Sequence, residues 1–323
     1  MTHYRLEGRR VWVAGHRGMV GSAVVRRLAR EGCTIVSAPR ETIDLTRQAA
    51  VEAFVAATRP QTIVMAAARV GGILANQAQP AAFLYDNLAM AAHVIEAAHR
   101  HGVERLLFLG SSCVYPKFAA QPIREEALLS GPLEPTNDAY AVAKIAGLRL
   151  VEAYRRQYGR DYIAAMPCNL YGPGDNFDPT TSHVLPALIR KVHEAKRLDL
   201  PAITLWGSGT PRREFLHVDD CADALVFLLK NHSGDGHLNL GAGTDLTILA
   251  LAEMVCEVAG YRGEILLDPS KPDGTPRKLM DSGRLQALGW QPAITLRDGI
   301  AGVYAWFADR VAADGSIAHR PDA

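Results

Sequence analysis

The chain has 323 residues, enough for one large domain or two of ordinary size around a sizeable core. Its 48% hydrophobic content excludes a disordered chain. The near balance of 35 Lys+Arg against 34 Asp+Glu excludes bulk attraction to nucleic acid or to an acidic membrane surface, so an anionic ligand must be met by a local cluster of cations.

The five cysteines, Cys33, Cys113, Cys168, Cys221 and Cys256, show no CxxC pair and no Cys/His metal spacing. They read as reduced thiols, with no metal expected. Residues 1–10 lack the apolar run of a signal peptide, and no stretch of 18 apolar residues occurs. The expectation is a cytoplasmic protein without a membrane span.

Apolar runs at residues 11–15, 34–38, 62–66, 105–110 and 162–167 alternate with helical periodicity at 20–31, 47–58, 80–101 and 137–158. That alternation predicts an α/β fold, a Rossmann-type doubly wound parallel sheet covered on both faces. Beyond residue 167 the rhythm breaks. Residues 169–182, rich in Gly, Pro, Asn and Asp, read as a long ordered loop. Helices are expected at 183–196, 219–229, 247–259 and 296–309, a short strand at 237–240, and a mobile tail over 312–323. The expected division is a dinucleotide-binding domain at 1–167 with about 214–240, and a smaller mixed α/β lobe at about 168–213 and 241–312.

Gly15, His16, Arg17, Gly18, Met19, Val20 and Gly21 follow the first predicted strand and open the first helix. Glycines at this spacing allow a tight turn, backbone approach to a pyrophosphate and close helix–strand packing, with the helix N-terminus facing the anion. NAD sites usually carry an acid at the end of the second strand; here Ser37, Ala38, Pro39 and Arg40 stand there, with no acid before Glu41. Arg17 and Arg40 are therefore candidates to clamp a 2′-phosphate, and NADP(H) is the expected cofactor.

Tyr140 and Lys144 lie four apart on a predicted helix, so phenol and ammonium share one face, where the cation is expected to lower the phenol. Ser111 and Ser112 follow the fourth strand, at the sheet edge where open α/β sheets bind ligands. With the glycine loop, the order Ser then Y-x-x-x-K resembles the extended short-chain dehydrogenase/reductases.

A narrower resemblance runs through residues 15–21 (GHRGMVG), 110–117 (GSSCVYPK), 133–137 (LEPTN), 140–144 (YAVAK), 169–176 (NLYGPGDN), 206–220 (WGSGTPRREFLHVDD) and 271–278 (KPDGTPRK). These segments are similar to the GDP-L-fucose synthase family, the 3,5-epimerase/4-reductases of GDP-4-keto-6-deoxy-D-mannose. The resemblance implies a reductive group of Ser111, Tyr140 and Lys144 and an epimerising pair of Cys113 and His183. It also implies an NADP site of Gly15 to Gly21, Arg40, Leu109, Gly110, Ser111, Ser112, Lys144, Pro167, Cys168, Asn169, Leu170 and His183. The implied sugar-nucleotide contacts are Lys191, Trp206, Arg213 and Asp273; Lys191 stands where the family can have Arg, keeping the charge without a bidentate fork.

On residue chemistry alone, Cys113 reads equally as a small buried residue, His183 as a packing residue at a helix start and Trp206 as a core tryptophan. His93, His99, His101 and His193 read as surface or packing residues. Arg212, Arg213, Lys271, Arg277 and Lys278 form a local basic group suited to a diphosphate. A homodimer is expected. The alternatives are a sibling epimerase/reductase acting on a GDP-4-keto-dideoxyhexose or heptose, and a non-catalytic NADP-sensing protein on the same fold.

Overall fold

The computed structural model of the chain describes residues 3–271 and 273–311, so the tail expected over 312–323 lies outside the described residues. The first half runs β1 (Arg10–Ala14), α1 (Met19–Leu28), β2 (Thr34–Val36), α2 (Gln48–Thr58), β3 (Thr62–Met65), α3 (Ile73–Ala78), α4 (Pro80–Arg100), β4 (Arg105–Leu109), α5 (Asp138–Tyr158) and β5 (Asp161–Pro167). These strands join β9 in a six-stranded, wholly parallel sheet of order β2-β1-β3-β4-β5-β9. Residues of β3 and β4 are buried throughout, as expected of strands covered on both faces. Helix α1 packs on α7, and α4 packs on α2 and α5. The order in which successive strands are added reverses between β1 and β3, which creates the crevice where such sheets take ligands.

The second half runs β6 (Asn169–Tyr171), α6 (Val184–Arg197), β7 (Ala202–Trp206), β8 (Arg212–His217), α7 (Val218–Asn231), β9 (His237–Leu240), β10 (Asp245–Thr247), α8 (Ile248–Ala259), β11 (Glu264–Asp268), β12 (Arg277–Lys278), α9 (Gly283–Ala287) and α10 (Leu296–Ala308). Strand β8 is the hub: β6 and β12 pair with it in parallel and β10 antiparallel, while β7 and β11 form a separate parallel pair. A second apolar core gathers α6, α8 and α10 around Tyr171, Phe177 and Phe215. The start of the loop expected over 169–182 is strand, because β8, some 45 residues away in sequence, supplies the pairing that no local pattern announces.

Three helices are fixed by their ends. Thr247 Oγ1 accepts from Ala250 N at 3.1 Å and Thr295 Oγ1 from Asp298 N at 3.2 Å, capping α8 and α10. Gly159 ends α5 at φ +63°, a conformation suited to glycine.

Candidate active site

The glycine loop joins β1 to α1 at the carboxyl edge of the sheet. Gly15 turns at φ +88°, and a Cβ there would stand 2.7 Å from the Ala67 backbone; a Cβ on Gly21 would stand 2.0 Å from Gly15 O. Gly18 N donates to Gly15 O at 3.0 Å, and Gly18 begins α1 without a side-chain cap. The first turn of α1 carries no acid, so its unpaired N–H groups face outward with the positive end of the helix dipole. His16 Nδ1 is buried without a partner, and burial, then Arg17, holds its ring below the ordinary histidine value. Arg17 meets Glu41 at 3.2 Å, which brings the segment after β2, with exposed Arg40, against the loop. This cradle fits a dinucleotide pyrophosphate.

The opposite wall is the end of β4. A Cβ on Gly147 would stand 2.4 Å from Phe108 Cζ, so glycine there lets α5 lie close on β4 and carries Tyr140 and Lys144 to the strand end. Lys144 is buried, its Nζ donating to Leu109 O at 2.8 Å and lying 5.9 Å from the Tyr140 ring centre. Burial pulls its pKa down to about 8. Tyr140 is hydrogen-bonded to the Ser111 side chain; burial first, then the Cys113 sulfur, push its phenol up, and the Ser111 bond offsets part of this. Burial outweighs the lowering of the phenol expected from the i,i+4 spacing of Tyr140 and Lys144.

Ser111 Oγ accepts from Cys113 N at 3.3 Å, opening a single 3-10 turn that returns the Cys113 sulfur to the same crevice. The Cys113 Sγ accepts from Asn137 Nδ2 at 3.2 Å. Arg213, on β8, lies within electrostatic reach of Cys113, Glu134 and Asp273, while burial pulls its pKa down. The thiol therefore has a guanidinium as well as a carboxamide for company.

His183 stands just before α6. The residue is exposed at one side, and the protein packed around the rest of the ring holds it below the ordinary histidine value. Among the described residues its ring makes no hydrogen bond to Ser111, Cys113 or Tyr140.

The other residues expected at the cofactor site follow the strand ends. Gly110 N donates to Ala165 O at 2.8 Å, Ser112 is buried, and Pro167 ends β5. Cys168 is buried, with its N donating to Leu240 O at 2.9 Å. Asn169 gives its amide to Glu214 O at 2.8 Å, and Leu170 is half-buried beside it.

On the second lobe, Lys191 donates to Thr204 O and burial lowers its pKa. Trp206 is 54% exposed with Lys271 Nζ 5.4 Å from its ring centre, which removes the core reading of that tryptophan. Asp273 accepts from Ser208 N at 2.7 Å and Ser208 Oγ at 2.9 Å. Arg212 and Arg277 bracket Asp245 at 3.0 and 2.6 Å, so two members of the basic group are engaged within the protein. His99 packs on Tyr154 and Tyr158, and His193 on Tyr304 and Phe307. No metal-binding group occurs among the described residues, and no helix among them is long and apolar enough to cross a membrane.

The NAD dependent epimerase/dehydratase family matches residues 11–241. The chain belongs to this family. It is 59% identical to a GDP-L-fucose synthase of Sinorhizobium fredii over 97% of this chain and 99% of the relative. It is 51% identical to a GDP-L-fucose synthase of Escherichia coli over 93% of this chain and 97% of that one. A GDP-mannoheptose C4 reductase from Campylobacter jejuni, solved with NADP bound, superposes with a TM-score of 0.86 at 35% identity, covering 93% of this chain and 98% of that one. A nicotinamide cofactor is therefore part of this epimerase/dehydratase site, and the GDP-L-fucose synthase resemblance read from the sequence holds across the chain.

Two residues escaped the sequence reading. Asn137 lies in the segment LEPTN, three residues before Tyr140, a spacing that puts it on the face Tyr140 uses. Glu214 is fully buried and accepts from Gly243 N at 2.7 Å and Met280 N at 3.0 Å, tying the second lobe's loops to the strand that carries Arg213. Nothing in the strand's own sequence signals it, since Glu214 follows Arg212 and Arg213 in a run of three charged residues.

Proposed function

We propose that this family member binds NADP(H) and converts GDP-4-keto-6-deoxy-D-mannose to GDP-L-fucose, epimerising C3 and C5 before reducing C4. The observation that carries the reading is the convergence of Ser111, Cys113 and Tyr140 at the end of β4, with Lys144 beneath and Arg213 opposite.

A ketone at C4 acidifies the hydrogens at C3 and C5. The Ser111 and Tyr140 hydroxyls are placed to hold the oxygen on which negative charge gathers. Cys113 serves as one proton-transfer group and neutral His183 as the other, since inversion needs removal on one face of the ring and return on the other. The bound nicotinamide supplies hydride to C4. Tyr140 then gives its proton to the C4 oxygen, with the Lys144 ammonium beneath the ring to favour the phenolate left behind. Arg17 and Arg40 favour the 2′-phosphate of NADP(H). Arg213, Lys191, Asp273 and the exposed face of Trp206 line the approach for the GDP moiety. Five free cysteines support a cytoplasmic setting, and the exposed apolar Tyr85, Leu88, Val142 and Tyr158 on α4 and α5 support a homodimer.

The similarity to a GDP-mannoheptose C4 reductase supports a second reading, in which the sugar is a GDP-4-keto-heptose. Incubation with NADPH and each keto-sugar, with the product identified by NMR, separates them. GDP-L-fucose as the product from the deoxyhexose is expected; failure to oxidise NADPH with it, or a C4-reduced sugar of unchanged C3 and C5 configuration, overturns the proposal.

A further inference from the structure

Asn137 occupies the N-cap of α5, the position at which an asparagine side chain ordinarily accepts from the second or third N–H of its own helix. It makes no such bond. Its carboxamide turns away, Nδ2 donating to Cys113 Sγ at 3.2 Å, while its Oδ1 is buried without a partner. The helix that carries Tyr140 and Lys144 therefore starts with its capping group committed to a sulfur on a different element. An N–H donor aimed at sulfur favours the thiolate over the thiol, since only the anion gains fully from it.

We propose that Asn137 is a positioning residue for the epimerisation half of the reaction, its carboxamide fixing the Cys113 side chain in the crevice and stabilising the sulfur as an anion between proton transfers. The inference rests on the reading of Cys113 as a proton-transfer group. The charged and titratable groups facing that sulfur are Tyr140 on α5 and Arg213 on β8, the latter also facing Glu134 and Asp273. Arg213 attracts the thiolate from one side and Asn137 holds it from the other. A rigid donor is useful here because the sulfur must give and regain a proton without drifting toward Tyr140, whose phenol the thiolate already disfavours as an anion.

The test uses the full chain in the wild-type form and as Asn137→Ala and Asn137→Asp. Asp keeps the size and capping capacity of Asn but loses the N–H donor, so it stands in where Ala fails to fold. The first measurement is the rate of Cys113 alkylation by iodoacetamide across pH without sugar, located by peptide mass mapping to separate it from Cys33. The second is solvent deuterium exchange at C3 and C5 of GDP-4-keto-6-deoxy-D-mannose, with NADPH affinity alongside. Alkylation of Cys113 is expected to slow several-fold at a given pH in Asn137→Ala and by more in Asn137→Asp, where a carboxylate faces the sulfur. Exchange is expected to slow ~10-fold or more, with NADPH affinity unchanged. An alkylation profile identical to wild type in the folded variants overturns the inference. If the wild-type protein exchanges neither hydrogen, the reading of the reaction fails, and the alkylation profiles still decide whether Asn137 governs the sulfur.

Discussion

Replacing Gly21 with alanine tests the cofactor cradle where the geometry is least forgiving. The added methyl would lie 2.0 Å from Gly15 O, 2.6 Å from Gly15 C and 2.9 Å from His16 Cα, all backbone atoms that cannot swing aside. The nearest contact is roughly 1.5 Å inside an ordinary van der Waals separation of ~3.5 Å, so α1 must back away from the glycine loop. Overpacking of this kind costs about 1–3 kcal/mol, a fraction of the ~5–15 kcal/mol of a typical domain, so the protein stays folded but melts several degrees lower. The larger loss is in cofactor binding. The N–H groups at the start of α1 move by about 1 Å relative to the loop, a displacement of the size that costs ~100-fold where groups must be held in register. Titration of NADPH fluorescence, with thermal unfolding in parallel, reads both effects. Gly18→Ala is the internal control: its Cβ would sit 3.4 Å from Gly15 O at φ −76°, so its melting temperature should hold even where cofactor affinity falls. A Gly21→Ala protein that binds NADPH as wild type does and melts at the same temperature would refute the assigned role of the loop.

Tyr140→Phe should lower C4 reduction by roughly 10²–10⁴-fold with NADPH affinity intact, and should slow C3/C5 exchange less, since Ser111 still holds the C4 oxygen when the phenol is gone; steady-state reduction and exchange measured on one preparation check this. Cys113→Ser should lose exchange at C3 and C5 with NADPH binding intact, by the same assays. Lys144, folded, has a pKa of about 8, below its unfolded value of ~10.4, so the unfolded chain binds more protons between those pH values and wild-type stability rises through that window. Lys144→Met should lack that rise, worth roughly 3 kcal/mol, and should be the more stable protein below pH 8; urea unfolding of both at pH 7.5 and pH 10 measures it. Arg40→Ala should raise the KM for NADPH about 10-fold and leave NADH unchanged, if its guanidinium meets the 2′-phosphate.

The parallel sheet was legible in the sequence because its strands are short apolar runs separated by helices of clear periodicity, and the ends of β1, β4 and β5 fall within a residue of the expected runs. The glycine loop and Ser111 were legible because each directly follows a strand end, and Tyr140 and Lys144 because they stand four apart on a predicted helix. What long-range pairing decides was hidden. Strand β6 looks like loop because Gly172, Pro173 and Gly174 follow it at once, and only β8 makes it strand. The partners of Lys144 were hidden as well, since spacing four apart places it under Tyr140 but says nothing of the Leu109 carbonyl that takes its proton donor. Arg213 reaches Cys113 across 100 positions of chain, and Arg212 beside it turns instead to Asp245, a choice between neighbours that alternation along β8 allows but does not dictate. Asn137 reads as an ordinary helix cap until the sulfur beside it is seen.

The central claim is that one crevice both inverts two carbons and reduces a third. Running the reaction on GDP-4-keto-6-deoxy-D-mannose with NADPH in D2O, and locating deuterium in the product by NMR, tests it most directly. The account predicts GDP-L-fucose with deuterium at C3 and C5 and protium from the cofactor at C4. A C4-reduced product that keeps protium at C3 and C5 would contradict it.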